Sequence, residues 1–113
     1  MSDSILLSTK HVLGLSDDYD IFDEGIIMHI NMALASAESI GCPISVNAVV
    51  EDETALWSSL DLPHNQLNIL KNYVYLKARL MFDPPTTSYL IEALNKQVAE
   101  IEYRMHVLGR SIA

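Results

Sequence analysis

Residues 73–105 read YVYLKARLMFDPPTTSYLIEALNKQVAEIEYRM. On both sides of the proline pair, apolar side chains recur every three or four residues, the spacing that places them on one face of an α-helix. Neither Pro84 nor Pro85 can donate an amide hydrogen bond, and each disfavours the helical conformation in the residue before it. The stretch therefore predicts two amphipathic helices separated by a fixed break at 82–85, a pattern that points to assembly rather than catalysis.

Each predicted helix has a defined apolar face. The second carries a seam with alternating spacings of four and three residues, which is also compatible with coiled-coil packing: Leu94, Val98, Ile101, Met105 and Leu108. The first carries one apolar stripe, formed by Leu67, Leu70, Val74, Ala78 and Met81. Three more apolar residues widen this stripe and indicate that the helix is buried on more than one side: Tyr73, Leu76 and Leu80. Side-chain oxygens after the prolines are predicted to cap the second helix: Thr86, Thr87 and Ser88.

Two further helices are predicted before this stretch. The first runs from about Ser4 to Leu13, with Gly14 as a left-handed stop. The second is expected to be capped by Asp20 and to end at Gly41. Its first turn contains Asp23 and Glu24, and its inward face is predicted to comprise Phe22, Ile26, Ile30, Ala33 and Ala37.

Helical periodicity fails between Cys42 and Glu53, and residues 44–49 alternate in the manner of a half-buried strand. Thr54 or Asp52 is then expected to cap a short helix, and a long helix begins near His64. We therefore expect an all-α protein in which residues 1–113 form a single domain. It is predicted to be a small bundle of four to five helices with one irregular or short β-hairpin arm around residues 43–53.

Composition narrows the classes of function. The net charge of −8 argues against a surface that grips phosphates, because such surfaces need clustered Lys and Arg. No apolar run reaches the roughly 18 residues of a membrane span. The first residues lack the features of a secretory signal, so we expect the chain to stay in the cytoplasm that makes it. Cys42 is the sole cysteine, which excludes an internal disulfide.

No motif nominates an active site, a cofactor site or a metal site. The four histidines lack zinc spacing, and the four glycines are scattered singly rather than forming a phosphate loop. Asp17, Asp18 and Asp20 resemble part of a calcium loop but lack its glycine, so helix capping is the favoured interpretation. A basic stripe that could contact nucleic acid comprises Lys71, Lys77, Arg79 and Arg104, together with Tyr73, Tyr75 and Tyr103. Lys71 and Lys77 fall on different helix faces, however, and Arg104 can pair with Glu100. We predict a protein that is not an enzyme.

Several runs resemble the head-tail connector family of tailed bacteriophages, the small helical adaptors attached beneath the portal. They are KNYVYLKARL at 71–80, FDPPTTSY at 82–89 and EIEYRM at 100–105, together with the pattern of residues 12–31. The resemblance implies a subunit of a ring, by family analogy dodecameric, that binds the portal and a tail-side neck or completion protein. DNA would pass through the lumen without sequence-specific binding, and the protein would reside in the neck of the virion.

This resemblance assigns two sets of residues. Those expected to hold the hinge and the bundle are Tyr73, Tyr75, Phe82, Asp83, Pro84, Pro85 and Tyr89. Those expected at the portal or at a neighbouring subunit are Arg104, His106, Arg110 and Ile112. Two alternatives stay open: a tail-completion or terminator ring protein, a class richer in β-structure, and a small DNA-binding regulator.

Overall fold

A computed structural model describes residues 3–42, 44 and 49–112, with side chains described as far as Val107. In this part of the chain the architecture is helical. Four α-helices and one short 3₁₀ helix follow in the order α1 (Ile5–Val12), α2 (Asp23–Ile40), the 3₁₀ helix (Trp57–Leu60), α3 (His64–Phe82) and α4 (Ser88–Ile112). The all-α prediction is confirmed, and the described residues contain no strand.

The predicted helix ends are confirmed at α1 and at the carboxyl end of α2. The Ser4 hydroxyl accepts a hydrogen bond from the Leu7 amide (3.2 Å), which caps the first turn of α1. Gly14 follows α1 with φ +83°, and Gly41 ends α2 with φ +128°. These backbone angles are ones that glycine adopts without steric cost, so both stops follow from the residue type.

Helices α2, α3 and α4 pack as a bundle in which α3 runs antiparallel to both α2 and α4, so that α2 and α4 are parallel. Phe22, just before α2, meets Phe82 at the end of α3, with ring centroids 5.2 Å apart and an edge-to-face arrangement. At the other end of the bundle, His106 Nδ1 on α4 lies 3.3 Å from the carbonyl oxygen of Ile40, the last residue of α2. The predicted inward faces are confirmed at the positions whose side chains are buried: Ile26, Ile30, Ala33, Ala37, Leu70, Val74, Ala78, Val98 and Met105. Leu67, Met81, Leu94 and Ile101 are half-buried, and the side chain of Leu108 lies outside the described residues.

The start of α2 corrects two predictions. Asp20 does not cap the helix; its carbonyl accepts the Asp23 amide (3.2 Å) in the preceding turn, and α2 begins at Asp23. Phe22 is not an inward residue but 44% exposed, because it lies before the first helical turn, where its ring contacts the rings of Tyr19 and Phe82. Asp23 and Glu24 do occupy the first turn, as predicted.

The predicted arm around residues 43–53 lies partly outside the described residues, which exclude Pro43 and 45–48. Residues 49–53 are neither helix nor strand, and the hairpin is not shown. The Asn31 side chain holds this segment, accepting from the Val50 amide (2.8 Å) and donating to the Val50 carbonyl (3.0 Å). The predicted cap is wrong, because Asp52 Oδ1 accepts from the Thr54 amide (2.9 Å) in a turn, and the short helix starts only at Trp57.

Trp57 ties the middle of the chain to the bundle. Its ring is fully buried, and its Nε1 donates to the Ser8 hydroxyl on α1 (2.9 Å). The Tyr75 ring of α3 meets it edge-on at 6.0 Å, and the Lys71 ammonium lies 5.8 Å from its centroid. A large apolar ring with one satisfied polar atom thus joins α1, the 3₁₀ helix and α3.

Lys10 forms a second tie, which the sequence did not predict. Its side chain on α1 is fully buried, and its ammonium lies 2.9 Å from Asp23 Oδ1 at the start of α2. The ammonium also donates to the Asp17 carbonyl (3.0 Å). Burial of a lysine is costly unless the charge is paired and hydrogen-bonded, and both conditions are met here.

Candidate assembly surfaces

The hinge between α3 and α4 is built by local chemistry. α3 ends at Phe82, and the Asp83 amide still donates to the Arg79 carbonyl (2.9 Å). α4 then begins at Ser88, with the Thr87 hydroxyl accepting from the Leu90 amide (3.4 Å). Helix termination by the prolines and prompt capping by Thr87 are both confirmed, and together they fold α4 back against α3.

A tyrosine fixes how the three bundle helices meet. Tyr73 on α3 is fully buried, and its hydroxyl donates to Glu102 on α4 (2.9 Å) and also has a hydrogen bond with Ser36 on α2. Burial raises the pKa of the Tyr73 phenol to about 12, and the adjacent Glu102 carboxylate adds to the rise. The neutral hydroxyl is therefore held as a donor between the helices.

Apolar side chains are also exposed on the side of α2 that faces away from the core. Ile21 is 71% exposed, and Met28 and Met32 are each more than half exposed. Gly25, Met28 and Met32 are spaced three and four apart and share one face of α2, and Ile21 lies in the turn just before the helix. The sequence contains these apolar residues at helical spacing. Because α2 is apolar on most of its circumference, however, periodicity alone did not distinguish the buried face of α2 from this exposed one.

A recess of about 460 Å³ adjoins this face where α2 begins and α3 ends. We call it the α2 groove. It is lined by Ile21, Phe22, Gly25, His29, Met81 and Phe82, with Glu24 at its rim. His29 Nδ1 is buried there and has no hydrogen-bond partner among the described residues.

Comparison with known proteins gives one positive result. The family model described as "Phage connector protein" matches residues 5–110, nearly the whole chain. The chain belongs to the phage connector protein family. No curated protein and no solved structure matches it. The resemblance inferred from the sequence is thus confirmed, and with it a structural connector role in a bacteriophage virion at the head-tail junction.

The connector brings only part of the predicted hinge set together. Tyr73 is in the core, and Tyr75, Phe82 and Pro85 are half-buried. Asp83 and Pro84 are exposed at the break, and Tyr89 is 79% exposed, so it makes little packing within one chain. The roles of these residues in an assembled connector stay predictions.

The second predicted set lies at the opposite end of the bundle from the hinge. Arg104 is exposed and pairs with Glu100 one turn earlier (2.8 Å), as predicted. His106 contacts the end of α2 as described above. Arg110 and Ile112 belong to α4, but their side chains lie outside the described residues. Two exposed apolar side chains, Tyr103 and Val107, accompany Arg104 and were not predicted as site residues.

Other chemistry was sought on the described residues. They contain no group of three or more His, Cys, Asp or Glu placed to hold a metal ion. Burial raises the pKa of the Cys42 thiol to about 11, so little of the nucleophilic thiolate is present near neutral pH. None of the described helices combines the length and the apolar character needed to cross a bilayer.

The candidate basic stripe does not form a continuous surface. Lys71 lies over the Trp57 ring, and the Lys77 ammonium lies 5.9 Å from the Tyr73 ring centroid. Both lysines are half-buried, with their charges placed on aromatic faces of the same chain. This arrangement favours a packing role for them over a contact with nucleic acid.

Proposed function

We propose that this connector is an adaptor subunit that forms a ring beneath the portal and extends the DNA channel toward the tail. The match to the phage connector family over residues 5–110 is the observation that carries the proposal. The capped proline hinge and the buried Tyr73 network support it, because a ring needs subunits of fixed shape. Portal and tail-side neck proteins are the partners, and by family analogy the ring has twelve copies.

The acidic character of the protein suits such a channel. Fifteen acidic residues against seven basic ones give a net charge of −8, and a lumen of like charge lets DNA slide without adhering. The same charge disfavours the alternative of a DNA-binding regulator, which would need exposed basic clusters. The helical fold of the described residues disfavours a tail-terminator protein, since that class is richer in β-structure.

The test is the mass of the protein measured by light scattering after size exclusion, alone and mixed with the portal ring of the same phage. We expect co-elution of several copies per portal, with a mass that gives the stoichiometry. A chain that stays monomeric beside the portal, while another neck protein binds that portal, would refute the adaptor proposal.

A further inference from the structure

The connector exposes a second apolar surface on α4, far from the α2 groove. Tyr103 is 69% exposed, and Val107 follows one turn later on the same face; exposed Arg104 is next to Tyr103 in sequence and pairs with Glu100. We call Tyr103, Arg104 and Val107 the α4 ridge. A rigid aromatic residue beside an arginine is the composition found at the energetic centres of protein interfaces.

The ridge and the groove are complementary in chemistry. The groove offers an apolar floor and the acidic rim of Glu24. The ridge offers an apolar body, a tyrosine hydroxyl that can donate, and Arg104, which is exposed and pairs with Glu100 within the chain.

The charges of the chain are also unevenly distributed, with most acidic residues in the part that contains α2 and most basic residues in the part that contains the ridge. Residues 1–61, which supply the α2 side of the groove, contain eleven acidic residues and one basic residue, the buried Lys10. Residues 62–113, which supply the ridge, contain four acidic and six basic residues. Two copies therefore attract each other when the first part of one approaches the last part of the other.

One chain cannot fill its own groove. The groove lies where α2 begins, whereas His106, within the turn of the ridge, touches Ile40 where α2 ends. The 18 residues of α2 separate these points by roughly 27 Å at 1.5 Å per residue. Complementary surfaces at opposite ends of one molecule are the requirement for a head-to-tail contact, which closes into a ring when the rotation permits.

We propose that the α4 ridge of one connector subunit seats in the α2 groove of the next copy, with the Tyr103 ring against the apolar lining of the groove. This inference rests on the proposed ring and names the two faces that build it. The contact is heterologous, so each subunit uses its groove toward one neighbour and its ridge toward the other.

The decisive test is cross-linking in the assembled state. The double variant Ile21→Cys/Val107→Cys, loaded on the portal ring and treated with a short bis-maleimide, is expected to give a ladder of dimers, trimers and larger species. Either single variant should stop at dimers at most. Cys42 is buried and adds no background in the folded chain, which the unsubstituted protein verifies.

The matched control is Ser59→Cys/Val107→Cys, because Ser59 is exposed but lies on the 3₁₀ helix rather than at the groove. A portal-bound ring of the Ile21/Val107 variant that gives no ladder, or an equal ladder from the control, would overturn the groove-ridge contact while leaving the adaptor proposal intact. Failure of the unsubstituted chain to load in several copies would overturn both.

A second measurement separates the ring of Tyr103 from its hydroxyl. Tyr103→Ala is expected to raise the protein concentration needed for half-maximal binding to the portal ring by at least about tenfold, as happens when a central aromatic side chain of an interface is replaced by alanine. Tyr103→Phe, which keeps the ring, should fall between this variant and the unsubstituted chain. Unchanged loading by Tyr103→Ala, with an unchanged circular dichroism spectrum, would overturn the proposal.

Discussion

The buried pair of Lys10 and Asp23 predicts an unequal response to the loss of either partner. Lys10 is fully buried, whereas the Asp23 side chain is 28% exposed. Replacing Asp23 by Asn keeps its size but removes the opposite charge, so the buried Lys10 ammonium is left with neutral acceptors only, the Asn side-chain oxygen and the Asp17 carbonyl. Replacing Lys10 by Met removes the buried charge, fills most of the same volume, and leaves a carboxylate that water can reach.

Breaking a buried ion pair by removing one partner costs about 3–5 kcal/mol, and the partial exposure of Asp23 reduces this to about 2–3 kcal/mol for Asp23→Asn. We expect Lys10→Met to cost about 1 kcal/mol or less, since the charge that would need a partner is gone. For a chain of this length, the loss in Asp23→Asn corresponds to a melting temperature lower by roughly 10 °C.

The assay is urea unfolding near neutral pH, followed by circular dichroism of the helices. Glu24→Gln is the matched control, because Glu24 lies in the same first turn of α2 and loses the same interaction with the helix dipole, about 0.3–1 kcal/mol, but has no buried lysine beside it. Equal losses for Asp23→Asn and Glu24→Gln, or a larger loss for Lys10→Met than for Asp23→Asn, would refute the reasoning.

Three further predictions follow from other contacts. The pKa of Tyr73 is raised from 10 to about 12 in the folded state, so its contribution to the free energy of unfolding is complete below pH 10 and is lost as pH rises toward 12. Across this window the free energy of unfolding should fall by at most about 2 kcal/mol more in the unsubstituted protein than in Tyr73→Phe. Parallel pH curves for the two proteins would contradict this. Asn31→Ala leaves both backbone groups of buried Val50 unpaired, so we expect the free energy of unfolding to fall by about 1–3 kcal/mol and the Val50 amide to exchange its hydrogen faster. Unchanged exchange would show that the Asn31 hydrogen bonds are not needed to hold Val50. Replacing Pro84 and Pro85 together by alanine should let α3 and α4 tend to merge and should disturb ring geometry, and unchanged loading on the portal would discredit the hinge role.

The features that the sequence predicted are those decided within a few residues. Proline chemistry determines the break after Phe82, and a three-to-four residue period identifies the inward faces of α2 and α3. Gly14 and Gly41 mark helix ends because their backbone angles favour glycine. Each of these inferences needs no knowledge of what packs against the segment.

The features that the sequence did not predict depend on distant partners. From the sequence, Lys10 would be expected at the surface, because its partner, the Asp23 carboxylate, belongs to a different helix. Asp20 is a good cap by residue type, but its carbonyl accepts the Asp23 amide in a turn and α2 begins without a side-chain cap. The groove and the ridge were not predicted because an exposed apolar helix face has the same sequence period as a buried one. The head-tail function was inferred from family resemblance rather than from any site.

Trp57 gives this connector an internal reporter that distinguishes folding from assembly. It is the single tryptophan of the chain, and it is already fully buried against α1 and α3. A neighbouring subunit cannot remove further water from its ring, so its emission wavelength should follow unfolding of the subunit and remain constant when copies join. Fluorescence and light scattering recorded on one sample would then give subunit stability and ring formation as two independent quantities.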